Sequence, residues 1–239
     1  MGRFTKVSTD AFDELQMNAG VLLRTFNPVS PAEPASADII ATTTGGIHAV
    51  CEPTYSDFGE DVDNVPNNMM EYKHLEGWNC YLGFTSIKFN SENVKMGVGA
   101  ADLSGATYAA TSDTTVKSGK TYYTRTGTDP NYVYTPVANP TGNPSTQSYY
   151  EMTSPDYKIT PRSELKSSDF ESDLWWVGDK ADGGCVAIHL MNALSTAGFD
   201  MQTTKNSKGT MSLTITGHVS ISAQDTVPME FYVLEAPSA

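Results

Sequence analysis

The chain is poor in positive charge, in cysteine and in long apolar runs, and each shortage narrows what it can be. Fifteen Lys and Arg stand against 28 Asp and Glu, a formal charge of −13. Such a surface repels phosphate backbones and anionic membranes, which disfavours tight binding to either. Between Arg24 and Lys73 there is no further Lys or Arg, while Glu33, Asp38, Glu52, Asp57, Glu60, Asp61, Asp63 and Glu71 fall inside that stretch. Three cysteines, Cys51, Cys80 and Cys185, are too few for a disulfide framework and form no C-x-x-C motif, so buried free thiols are expected. No segment approaches the roughly 18 apolar residues of a membrane helix, and MGRFTKVSTDAFDELQ lacks the apolar core of a signal peptide. The expectation is a protein made and kept in the cytosol unless a larger assembly carries it out.

Catalytic motifs are equally scarce. There is no G-x-S-x-G elbow and no H-E-x-x-H zinc pair, and Gly97-Val98-Gly99-Ala100-Ala101-Asp102 misses the third glycine of a dinucleotide loop and reads as a turn. His48, His74, His189 and His218 are far apart in sequence. The acidic run YSDFGEDVDNVPNN at 55–68 does not fit a calcium loop: counted from Asp57, positions three, five and six are Gly59, Asp61 and Val62, where the motif wants Asp or Asn, Asp or Asn, and Gly. No metal, no cofactor and no enzymatic activity are expected.

What is present is strand. Met211, Leu213, Ile215, Val219 and Ile221 alternate with polar residues, and Val227, Met229, Phe231 and Val233 alternate again after a turn at 223–226, which suggests an antiparallel hairpin. VLLRTF and WNCYLGFTSIKF read as strands, and ADIIATTTGGIHAVCEP reads as strand, Gly-Gly turn, strand. Ser8-Thr9-Asp10 before AFDELQM suggests a short capped helix with Phe12 and Leu15 on one face. SELKSSDFESDLW is a second helix candidate, and AIHLMNALST reads as helix or strand.

Between residues 106 and 153 the composition turns to Thr, Ser, Tyr, Gly, Asn and Pro, and KTYYTRT, NYVYTPV and QSYYEMT read as three short strands. We therefore expect a main β domain made of 1–105 and 154–239, interrupted by a small β insertion at 106–153 on its outer face. Tyr122, Tyr123, Tyr132 and Tyr134 of the insertion suit either a sheet surface packed on itself or a platform for sugar rings. The second option describes a carbohydrate-binding or host-adhesion module.

Four blocks carry a resemblance: FDELQMNAGVLLRTFNP at 12–28, ATTTGGIHAVCEPTYSDFGEDVDNVPNN at 41–68, DLWWVGD at 173–179, and the long run from GGCVAIHL to MEFYV at 183–233. Together they resemble the major tail, or tail tube, proteins of long-tailed bacteriophages and prophages of Gram-positive bacteria. That resemblance implies an antiparallel β-sandwich or barrel with one or two short helices, assembling with itself into hexameric rings stacked as a tube. It further implies tape-measure and tail-terminator proteins as partners, transient non-adhesive passage of double-stranded DNA, no membrane, and residence in a virion assembled in the host cytoplasm. In similar proteins an N-terminal arm and a long inter-strand loop join successive rings. Phe12 and Leu15 are the candidates in the first, and Asp57, Glu60, Asp61 and Asp63 in the second, with a place on the tube lumen as the other option for the acidic loop.

Overall fold

The computed structural model describes residues 8, 11, 12, 15–59, 62–64, 66 and 69–236. In chain order the elements are β1 (Val21–Leu23), β2 (Ile39–Ala41), β3 (Thr43–Asp57), β4 (Lys73–Ser86), α1 (Ser91–Val98), β5 (Ala101–Ala110), β6 (Tyr123–Thr128), β7 (Asn131–Pro136), β8 (Tyr150–Pro161), β9 (Glu171–Asp179), β10 (Cys185–Ser195), β11 (Asp200–Gln202), β12 (Thr210–Thr216) and β13 (Met229–Leu234). The protein is mainly β, with antiparallel sheets in a sandwich-like arrangement and, among the described residues, one α-helix. The chain divides into two compact units, residues 1–100 with 163–239, and residues 101–162.

In the first unit the strands run in the order β2-β1-β9-β10-β12-β4-β3, with β13 beside β10 and β11 beside β12. β10 makes the sandwich possible by serving both sheets. Residues 185–190 pair with β9 on one side and β13 on the other, while Leu194 and Ser195 pair with Thr216 and Ile215 of β12. Between these stretches Asn192 has a φ of 46°, a conformation that Asn tolerates better than most side-chain-bearing residues, and its amide donates to the His218 carbonyl. That kink turns the strand from one sheet into the next.

One continuous core fills the space between the layers. Leu22, Ile40, Leu174, Trp176, Ile188 and Leu190 meet Cys80, Leu82, Phe84, Met211, Leu213 and Ile215, with Met96 contributed by α1. Asn90 caps α1 by accepting from the Asn93 amide, and the Asn93 side chain donates to the carbonyls of Ile40 and Lys88. The helix is thereby fastened over the sheet by a buried polar residue. A smaller cluster of Leu23, Trp175 and Ala187 lies on the opposite face of β1, β9 and β10, overlaid by Phe26.

Several local expectations give way to tertiary pairing. Residues 15–18 are not helical: Gln16 bridges Lys180, and the Met17 amide donates to the Asp179 carbonyl, because a short segment gains more from a strand edge than from an isolated helical turn. Gly45-Gly46, both at positive φ, do not reverse the chain but form an irregularity inside the long β3. SELKSSDFESDLW holds only a 3-10 turn at Ser167–Asp169 before β9 begins. β12 ends at Thr216, leaving Val219 and Ile221 exposed, and it pairs with β4, β10 and β11, not with β13. Helix α1 was invisible to apolar periodicity; only its Asn90 cap signals it.

The second unit is a four-stranded sheet in the order β5-β8-β6-β7. It is wider than the 106–153 segment marked by composition, because the outer pair extends to Ala101↔Pro161. Tyr123 of β6 and Tyr132 and Tyr134 of β7 lie toward one edge of that sheet, with β5 at the other.

Candidate functional site

Past Cys51 and Cys80, β3 and β4 run on together beyond the core as a two-stranded arm that ends at Asp57↔Lys73. Strand alternation points Cys51 and Cys80 into the core, so Pro53, Tyr55 and Trp78, two and four residues farther on, lie on the same face. Gly77 pairs with Thr54 and Leu75 with Tyr55, which leaves Glu76 as an extra residue in β4. This bulge sets Leu75 on the Tyr55 face and the Glu76 carboxylate off the ladder. The face that is core at the base of the hairpin is therefore a partly exposed apolar strip toward its tip, with Tyr55 58%, Leu75 42% and Trp78 39% exposed.

The tip is organised, not merely charged. Asp57 accepts from the Gly59 amide and pairs at 3.2 Å with Lys73 of its own chain. Lys73 is thus engaged within its own chain. The Phe58 amide donates to the Tyr72 carbonyl, and the Phe58 ring tilts against His74 at 5.5 Å. Asp63 is exposed in the turn at 62–64. Glu60 and Asp61 lie outside the described residues. Met70, 81% exposed, adds to the apolar surface beside the acids. Such a mixture of carboxylates with large uncovered side chains suits a protein contact better than free solvent.

Of the N-terminal candidates, Phe12 and Leu15 are both exposed. Leu15 begins the segment that runs along residues 179–181, its carbonyl accepting from the Ala181 amide. Nearby, a groove of about 630 Å³ has Val21, Leu23, Phe26, Val177 and Leu234 as its apolar lining and Glu33, Asp179 and Glu235 among its polar groups. On the adjoining sheet face His189 stacks on Trp175 with ring centroids 4.0 Å apart. Its Nε2 lies 2.6 Å from Asp173 and its Nδ1 3.4 Å from Glu230, which also accepts from the Tyr232 hydroxyl at 2.5 Å. The bonds from Tyr232 and His189 hold the Glu230 carboxyl below its usual range.

The tyrosines of the second unit part company. Tyr122 is fully buried; its hydroxyl donates to Asp113 at 2.9 Å and accepts from the Lys117 amide. Its ring offers no face to a sugar. Asp113 is itself gripped by Lys117 and Lys120 at 2.5 and 2.6 Å, which holds its carboxyl far below the ordinary value. Tyr134 stacks on Tyr108 at 4.0 Å, with Tyr123 and Tyr150 edge-on around the pair. The Arg125 guanidinium lies 4.2 Å from the Tyr132 ring and 4.7 Å from that of Tyr150. These rings are chiefly one another's packing partners, and they give a sheet with little aliphatic content its own small core.

Among the described residues no group of three or more His, Cys, Asp or Glu is placed to hold a metal ion. No helix among them is long and apolar enough to cross a membrane. Comparison with family models and with curated proteins finds no match for the chain.

Proposed function

We propose that the chain is a non-enzymatic structural subunit that polymerises: the protein whose hexameric rings stack into the tail tube of a long-tailed bacteriophage or prophage. The observation that carries this reading is the β3–β4 arm. A hairpin that runs past its own core with Tyr55, Leu75 and Trp78 partly exposed leaves apolar area that a second copy would remove from water. Among the described residues β3 and β13 each pair along one edge, and neighbouring copies could extend the other edges around a ring. In this reading the arm and its acidic tip reach the adjacent ring, and tape-measure and terminator proteins meet the ends of the tube.

The charge balance fits the same function. Each copy brings a formal charge of −13, so a bore built from this surface repels duplex DNA and lets it slide without displacing its counterions. Screening confines the repulsion to about 8 Å at physiological salt, which makes it a property of the wall. Negative-stain microscopy of the purified protein across a concentration series tests the proposal. Rings or tubes with an open bore are expected. A protein that stays monomeric at every concentration, and is absent from purified tails of the virus that encodes it, would refute it.

A further inference from the structure

Cys51 and Cys80 are 29 positions apart in sequence and directly opposite each other in the β3–β4 ladder. Their sulfurs lie 3.3 Å apart, with Cys80 fully buried and Cys51 partly accessible. Residues facing each other across antiparallel strands have Cα atoms about 4.5–5.5 Å apart, inside the window of about 4.4–6.8 Å that a disulfide spans. Closing the remaining gap to the covalent S–S distance of about 2.0 Å takes side-chain rotation and a small strand adjustment, with no change of register.

We propose that Cys51 and Cys80 are an oxidative modification site, a dithiol that converts to a cross-strand disulfide pinning the base of the arm. The oxidant is a low-molecular-weight disulfide such as oxidised glutathione. The Cys51 thiol, the accessible one, loses its proton and attacks one glutathione sulfur; the glutathione S–S bond breaks and the departing thiolate takes up a proton. Cys80 then gives up its proton and attacks the Cys51 sulfur of the mixed disulfide, expelling the second glutathione thiolate, which is protonated in turn. Two protein thiols are oxidised and one glutathione disulfide is reduced to two thiols, so atoms and electrons balance. Burial and the neighbouring Cys51 push the Cys80 thiol up to about 12, so the second step is the slow one and accelerates as pH rises. The site lies where the hairpin leaves the core, so the bond would keep the two strands of the arm from separating.

Cys185, on β10 beside Asp179 and Leu234, is an internal reference that should stay a thiol. The test incubates the full chain with oxidised glutathione, and separately with the small oxidant diamide, at pH 7 and pH 9. An acid quench, alkylation in denaturant, intact mass and peptide mapping then count the thiols. The expected result is a fall from three alkylatable thiols to one, a linked Cys51–Cys80 peptide, faster linkage at pH 9, and a rise in Tm on the order of 5–10 °C. Cys51→Ser, a change at the more accessible position, should retain two thiols and show no rise. Three thiols persisting with both oxidants, a stable glutathione adduct on Cys51, or a linkage that involves Cys185 would each overturn the proposal.

Discussion

Replacing Tyr55 and Leu75 by threonine tests the arm most directly, because threonine keeps the strand and removes the apolar strip. Burying a whole aromatic side chain withdraws about 150–250 Å² from water, so the 58% of Tyr55 that is exposed corresponds to about 90–145 Å². At about 25 cal/mol/Å² its complete coverage by a neighbour would contribute about 2–4 kcal/mol. The 42% exposed Leu75 adds about 1 kcal/mol, from a full-burial value of about 1.5–3. Threonine recovers roughly a quarter of the total, leaving a loss of about 3 kcal/mol per arm contact. With tenfold per 1.4 kcal/mol, the concentration needed for assembly should rise on the order of 100-fold. Sedimentation and microscopy over a concentration series would measure that threshold, while emission from Trp175 and Trp176 in a thermal melt monitors the fold. A variant that melts like the parent and polymerises at the parent's threshold would refute the assignment of the arm to subunit contact.

Leu190→Ala should cost about 2–5 kcal/mol in a urea titration followed by Trp emission, since Leu190 is fully buried in the main core and Gly217 packs against its side chain. In the second unit the depressed Asp113 carboxyl contributes stability that is present above the unfolded value of about 3.9 and lost as pH falls through the folded one. Near-UV tyrosine dichroism should therefore decline on acidification below about pH 4, and Asp113→Asn should remove most of that acid dependence while lowering stability at pH 7. Excising residues 101–162 and joining the ends through a short glycine linker should leave the first unit folded, because Ala101 and Pro161 are ladder partners and the severed ends lie close together; loss of the cooperative Trp melt would contradict this. The protein should not retard duplex DNA in a gel at low salt, and a robust shift would end the passive-conduit reading.

The sheet-rich class and the acidic character were legible without a structure, because they depend on local pattern and composition. Met211, Leu213 and Ile215 alternate with Ser212, Thr214 and Thr216, and that period alone places one face inward. The same rule holds only in part in β13, where Met229 is buried in the main core while Phe231 and Val233, on the same side of the strand, are 57% and 64% exposed. A period states which residues share a face. It does not state whether the face is covered.

Partnership across distance was decided by tertiary structure. Adjacent Tyr122 and Tyr123 differ only in side of the chain, but one is sealed around Asp113 and the other joins a surface ring cluster. Of the helix expected over 11–17, residues 13 and 14 lie outside the described ones, and its end at 15–17 instead follows Asp179 and Lys180, since a ready sheet edge offers more hydrogen bonds than a single turn of helix can make for itself. Cys51 and Cys80 look unrelated in a linear reading and become neighbours only when β3 and β4 take their register. Sequence by itself determined which side chains want water and which do not; the pairing of strands decided where those preferences are satisfied, and along the arm it left them open.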